Sequence, residues 1–359
     1  MARSLPLPSW AVRVTHILAT IYSVCLFLTP PASARDTIHV QAPQSIQSAI
    51  DAAGPFAKIV VGPGTYAEQL LIQKDGLTLV GQGAILVPPA TPVHNACSGL
   101  AGPDTQAGIC VAGSGITLAP FKQEHRKVLE VKQPVKHVTV SGFQVRGFSG
   151  ENIALLGAQG SQVLGNWLYD GMQYGALTAG STNTLVGGNA VVSTGGILSI
   201  GICTDNFAGS TVSDNHVSGY FVGLCIQTSG AEIHANDMAG CCVGAYVDPR
   251  VRGAKVQHNR VSALNPLCDS QGGGAGVFLD GSLEAEVRWN LIEGMVAGGM
   301  GVGVIIVDDE TVVPVAVAGG NVVEYNVLKG NDFDVFVNTT GVGNVVMLND
   351  CDTPGGVCS

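Results

Sequence analysis

Hydrophobic and polar positions along the second half of this chain fall into one recurring tetrad, Val-x-x-Asn, with an aliphatic residue two places after the asparagine. It reads Val163-Leu-Gly-Asn166-Trp-Leu168, Val186-Gly-Gly-Asn189-Ala-Val191, Val212-Ser-Asp-Asn215-His-Val217 and Ile233-His-Ala-Asn236-Asp-Met238. It continues through Val256-Gln-His-Asn259-Arg-Val261 and Val287-Arg-Trp-Asn290-Leu-Ile292 to Val323-Glu-Tyr-Asn326-Val-Leu328. Successive asparagines are 23, 26, 21, 23, 31 and 36 residues apart. Short apolar runs broken by Gly, Asn, Asp and Ser read as strands joined by tight turns. A nearly constant period with drifting loop lengths means stacked coils, because one coil cannot bury its apolar face alone.

A second column supports this. Gly201-Ile-Cys203, Gly223-Leu-Cys225, Gly244-Ala-Tyr246, Gly276-Val-Phe278 and Gly303-Val-Ile305 read as one strand repeated on successive coils. The prediction is an all-β parallel β-helix of about ten coils, spaced about 4.8 Å apart. Asn suits the turn because it tolerates left-handed backbone, and stacked Asn side chains can bond one another as a ladder. Leucine-rich repeats would need a Leu scaffold that is absent, and propeller blades about 40 residues each.

Ile46, Ala49, Ile50 and Ala53 fall at helical spacing within residues 44–53, so a short helix is expected to cap the first coil. Strands at 58–61, 70–72 and 77–80 then begin the winding. Residues 84–127 break the repeat and are expected to form a long loop roofing a groove, and about 331–359 a C-terminal cap. Residues 35–359 are expected to form a single domain. Met1 to Ala34 carries Arg3 and Arg13, an apolar run Ile17–Leu28 and Ala32-Ser33-Ala34, the pattern of a secretory signal. Cleavage is expected, with an uncleaved anchor as the alternative; the apolar run is short for a membrane span.

The run from Ser45-Ile-Gln-Ser-Ala-Ile50 through Ile59-Val-Val-Gly-Pro-Gly-Thr-Tyr66 to Leu77-Thr-Leu-Val-Gly-Gln-Gly83 resembles the opening of the pectin-lyase-like superfamily. More narrowly, the chain is similar, over 37 to about 349, to secreted right-handed parallel β-helix repeat proteins of fungi and bacteria. The resemblance implies a right-handed helix. It implies no single activity, since the superfamily includes pectate and pectin lyases, glycoside hydrolases, uronan epimerases and members of no assigned activity. No complete catalytic signature of any one of them is present.

Charge narrows the partners. Loss of the leader's two arginines leaves 15 basic against 27 acidic residues, a net charge of −12. That disfavours nucleic acid, and polyanionic substrates unless bound Ca²⁺ or a local basic strip offsets it. In a secreted chain the nine cysteines outside the leader are disulfide candidates. Cys97 with Cys110 would tie the long loop, and Cys351 with Cys358 the C-terminus. Cys203 and Cys225 share a column and either bridge or stack. Cys241, Cys242 and Cys268 remain, leaving one odd thiol. No Cys-x-x-Cys is present and the histidines are scattered, so zinc is not expected. Asn338-Thr-Thr340 is the usable N-glycosylation sequon.

Candidate chemistry lies just after the glycine column. Asp205, Gln227, Asp248 and Asp280 each follow a column glycine by four residues, and Asp308 by five. They are expected to form a row on one face, with Asp248 and Asp280 one coil apart and Asp205 and Asp248 two. The first spacing suits a retaining glycosidase and the second approaches an inverting one. A carboxylate pair holding Ca²⁺ against a uronate is a further option, and ordinary turn roles are the bland one. Tyr246-Val-Asp-Pro-Arg250 is similar to the Tyr/Phe-Asp-Pro-His run of mannuronan epimerases, with Arg250 in place of His. Arginine is the base in some β-helix lyases, so the resemblance implies an Arg250-based elimination as an option. Arg250, Arg252, Lys255, His258 and Arg260 fall within 11 residues, a basic patch that would bind substrate with Tyr246 and Gln227; a surface charge cluster is the alternative. Trp167, Tyr169, Tyr174, Tyr220, Phe221 and Trp289 are sugar-stacking candidates or turn packing. Three readings follow: a secreted, monomeric enzyme acting on a polysaccharide, a non-catalytic glycan-binding or surface protein, and a small-molecule isomerase or cyclase.

Overall fold

The computed structural model describes residues 36–353 and 358, so the expected leader lies outside the described residues. Three parallel sheets wind along the chain. The first has 14 strands, twelve of them on one path from Thr37–Val40 to Val345–Met347; the second has 11 strands and the third 10. There are thus more coils than the repeat predicts. They include Thr37–Val40, paired in register with Lys58–Val61 at the start, and Val345–Met347, paired with Val322–Glu324 in the segment expected to be a cap.

The repeat explains the core. In the first sheet the tetrad's first residue forms an unbroken inward column: Val140, Val163, Val186, Val212, Ile233, Val256, Val287 and Val323. The aliphatic residue beyond the asparagine forms another in the second sheet, from Val145 and Leu168 to Ile292 and Leu328. Three-residue strands such as Gln162–Leu164, Trp167–Tyr169 and Glu286–Arg288 bury the middle residue and turn the flanks outward, the period-two rule applied to three residues. One hydrophobic cluster, from Val40 to Val335, fills the interior.

Between these two sheets the chain bends at the asparagine. Asn166, Asn189, Asn215, Asn236, Asn259, Asn290 and Asn326 each donate Nδ2 to the Oδ1 of the next, ending at Asn349, at 2.9–3.0 Å. Each of these acceptor Oδ1 atoms, from Asn189 to Asn349, also accepts the preceding asparagine's backbone N–H. Buried amides are tolerated because every donor and acceptor in the ladder is used. The residue before each asparagine has positive φ, as at Gly165 (59°) and Gly188 (64°).

Helix α1, Ile46–Ala52, lies at the first coil with Ile46 and Ile50 buried. The Ser45 hydroxyl accepts from Ser48 N, and the Glu68 carboxylate accepts from Ile46 N and Gln47 N, filling the helix's orphan donors with negative charge.

The expected loop at 84–127 is divided. Ala84–Val87 is a strand of the second sheet and Ile109–Ala112 a strand of the third, between Leu70–Ile72 and Glu151–Leu156. The chain leaves the coil at 88–108, and again at 113–134, where Ser114–Leu118 pairs antiparallel with Val128–Gln133. Winding also continues through the expected C-terminal cap, since Phe333–Asn338 belongs to the third sheet. The excursions pack on the outer face of the third sheet through a second cluster that includes Cys97, Leu100, Cys110, Leu177, Tyr174 and Cys203.

Candidate functional site

The third sheet carries the aspartate row. Its register places Ala179 against Asp205 on the next coil, Ile226 against Val247 and Val247 against Leu279, so Asp205, Gln227, Asp248 and Asp280 stand on four consecutive coils. The next partner of Asp280 is Val307, and that of Val307 is Asn338. Asp308 is therefore one residue off the row. Its carboxylate accepts from Ala318 N, Thr340 N and the Thr339 and Thr340 hydroxyls. Burial would raise its pKa, but these bonds bring it to about 2, so Asp308 is a structural carboxylate that clasps a turn.

Residues of the excursion close over the row. His125, 3% exposed, lies with Nε2 at 3.0 Å from Asp205 Oδ2 and Nδ1 at 3.0 Å from the Tyr174 hydroxyl. Lys127 Nζ is 3.3 Å from the same Asp205 oxygen and donates to Gln227 Oε1. Gln227 Nε2 donates to Glu124 at 2.7 Å. Glu124 has φ of 53° and leads into this run. The disulfide Cys97–Cys110 ties the excursion to the sheet, and Cys203–Cys225 spans two coils of the adjoining column. Cys242 pairs with Cys268 and Cys351 with Cys358; Cys241 is the free, buried cysteine among the described residues.

The electrostatics separate the carboxylates. Burial alone would raise Asp205, but the His125 hydrogen bond and the Lys127 charge hold it below the usual range. Burial pushes Asp248 well above that range, reinforced by Glu124 and Asp205 and only partly offset by Lys127 and Gln227. Asp280 is raised by burial and by Asp309, against the hydrogen bond it accepts from the Tyr246 hydroxyl. Tyr174 is pushed far up by burial and by the carboxylates around it, so its phenol keeps its proton beside His125 Nδ1. One coil back, Glu151 is wholly buried with neither oxygen hydrogen-bonded, and burial lifts it to about 8.

The expected basic patch does not assemble, because its members face different sides of one coil: Arg250 precedes the first-sheet strand that holds Lys255, and Arg260 lies in the second-sheet strand beyond the corner. Arg250, exposed and at φ of 65°, donates to the Pro314 carbonyl and is not among the groups that shift Asp248. Arg252 pairs with Glu284, Lys255 with Glu232, Arg260 with Glu293 and Asp237, and Arg288 with Glu286 and Glu324. His258 stacks on Trp289 at the corner between the first and second sheets. Of the candidate substrate-binding residues, Gln227 and Tyr246 stand at the row, while Arg252 and His258 do not. Among the described residues no group of three or more His, Cys, Asp or Glu side chains is arranged to hold a metal ion.

The family described as right handed beta helix region matches residues 151–316. The fold of this chain is a right-handed parallel β-helix. Solved structures with the same fold include the alginate lyase of a Paenibacillus species, with TM-score 0.53 and 15% identity over 84% of this chain and 99% of the other. DFA-IIIase of Arthrobacter chlorophenolicus A6 has TM-score 0.51 and 12% identity over 82% and 83%. The Dettilon tailspike protein has TM-score 0.52 and 12% identity over 88% of this chain, which spans only 58% of the tailspike. No curated protein sequence matches the chain.

What the β-helix repeat does not reveal is the excursion's contribution. Glu124, His125 and Lys127 come from Lys122-Gln-Glu-His-Arg-Lys127, the densest charged run in a segment that breaks the period. That density is the signal that points to them. Nothing in the sequence singles out Tyr174 as the partner of His125, because the pair is 49 residues apart.

Proposed function

We propose that the protein is a secreted glycoside hydrolase that cleaves a polysaccharide in the groove along the third sheet, with Asp248 as general acid and Asp205 as general base. The observation that carries this reading is the opposite displacement of the two carboxyls. Two acidic groups in one groove with their pKa values driven apart are the arrangement that acid–base hydrolysis requires. Asp248 keeps a proton for the leaving oxygen. Asp205, ionised beside His125 and Lys127, takes one from water. Two strand spacings put them about 9.5 Å apart, the inverting separation. Tyr174 and His125 orient Asp205, and Gln227 forms the floor between the two acids.

Elimination by Arg250 is a weaker reading, because that guanidinium is committed to the Pro314 carbonyl. The disulfides suit an oxidising compartment, and among the described residues no helix is long and apolar enough to cross a membrane. The test is mass spectrometry of products from neutral and uronic polysaccharides, with and without Ca²⁺, with Asp248→Asn as control. Oligosaccharides carrying one added water, absent in the control, are expected. Unsaturated ends, or no product from any glycan, would overturn the assignment.

A further inference from the structure

The corner of the Asn ladder carries a second feature, away from the third sheet. Down this corner the residue preceding each ladder asparagine has positive φ. It is glycine at Gly165 and Gly188, then Asp214 and Ala235, then His258 (55°), Trp289 (55°) and Tyr325 (58°). Glycine takes left-handed backbone at no steric cost, whereas a bulky side chain there is strained. The ladder's bend imposes this conformation on every coil, Leu348 (56°) included, so a bulky side chain there bears a cost that glycine would not. The three rings also remain in water: Trp289 is 45% and Tyr325 46% exposed, and His258 is exposed too. They stack on one another, His258 to Trp289 at 5.0 Å between centroids and 21°, Trp289 to Tyr325 at 6.1 Å and 8°. Arg288 lies over the indole at 6.0 Å. Neither the core nor the groove uses this stack.

The stack ends abruptly. On the coil before His258 the same position is Ala235, whose side chain stops at Cβ, and one coil further back it is Asp214. Among the described residues no ring covers the outer side of His258. The space is a depression of about 430 Å³ bounded by Ala235 and His258, with Glu232, His234, Lys255 and Gln257 on its rim. One flat ring face is thus offered beside a fringe of side chains that donate and accept hydrogen bonds. A sugar ring has the complementary form: a C–H face for the imidazole and hydroxyls around its edge for carboxylate, amide, imidazole and ammonium groups. A few placed polar groups around an apolar contact are what fix the orientation of a small ligand.

We propose that the corner slot above His258 is a glycan-binding site, separate from the groove, that takes one sugar ring of an uncharged polysaccharide as the next member of the His258–Trp289–Tyr325 stack. The rim's one ammonium, Lys255, is already paired with its one carboxylate, Glu232, which selects against uronates.

The test is electrophoresis of the full chain through gels containing soluble glucan, galactomannan, fructan or polygalacturonate. Two corner variants are compared with the wild type. Ala235→Trp fills the slot with a ring of the protein's own, in a backbone conformation Trp289 already adopts. Trp289→Gly removes the central ring and the left-handed strain together. The wild type is expected to be retarded by at least one neutral polysaccharide and not by polygalacturonate. Both variants should bind about tenfold more weakly or less. Trp289→Gly should melt no lower than the wild type, which a merely structural aromatic would not allow. The proposal is overturned if no neutral gel retards the wild type, or if both variants are retarded equally, which would assign the retention to the groove. Saturation by free indole in place of every glycan would also overturn it. The Asp248→Asn variant, run alongside, should be retarded like the wild type, so loss of hydrolysis and loss of corner binding are read separately.

Discussion

The His125 imidazole meets the Asp205 carboxylate at 3.0 Å across 80 residues of sequence. One partner comes from the excursion and the other from the regular coil, so the candidate site exists only where an irregular segment folds back on a periodic one.

The first consequence is a bell-shaped pH dependence. Asp248 must hold a proton and its pKa is raised, so activity is lost as pH rises through that value. Asp205 must be ionised and its pKa is lowered, so activity is lost as pH falls through that value. In His125→Ala, burial acts on Asp205 with less opposition, and the acid limb of kcat/KM should move to higher pH while the alkaline limb stays. Asp248→Asn should lower kcat between about 100- and 10,000-fold without unfolding the chain. Rate–pH profiles of the three proteins check this.

Glu151 links pH to stability. Its folded pKa of about 8 lies above the ordinary 4.5. Between those values the unfolded chain releases the proton while the folded chain retains it, so stability falls across that window as pH rises. Glu151→Gln should be more stable than wild type at pH 7, by on the order of 3 kcal/mol, and indistinguishable near pH 4. Denaturant melts at the two pH values measure it; an equal gap at both would contradict the burial argument.

Asn259 sits mid-ladder. Its Nδ2 donates to Ile233 O, Gln257 O and Asn290 Oδ1, and its Oδ1 accepts from Asn236 N and Nδ2. Asn259→Ala orphans several buried groups at once and should cost about 2–3 kcal/mol in chemical denaturation. Asn349→Ala, at the half-exposed end of the ladder, should cost distinctly less.

Arg250→Ala should leave turnover within about twofold of wild type, because the guanidinium serves the Pro314 carbonyl rather than the row. A loss comparable to that of Asp248→Asn, seen in the same assay, would restore the elimination reading.

The architecture could be read from the sequence because a solenoid repeats its core: Val163 and Val186 occupy one environment, and the tetrad reports it at every coil. The aspartate row could be read for the same reason, up to Asp280. It failed at Asp308, where Val307 holds the register and a one-residue offset turns a carboxylate into a turn clasp. The basic patch failed because neighbours in sequence round a corner of the coil; Arg250 and Arg260 lie on different sides of one rung. Glu124, His125 and Lys127 lie where the period breaks, and periodicity cannot say which part of the sheet an excursion covers.

The central claim is tested most directly by the anomeric configuration of the first-formed product, followed by proton NMR before mutarotation. Asp248 and Asp205, two coils apart, predict inversion. Retention would contradict their pairing and transfer the second role to Asp280, one coil from Asp248, and an unsaturated product would contradict hydrolysis altogether.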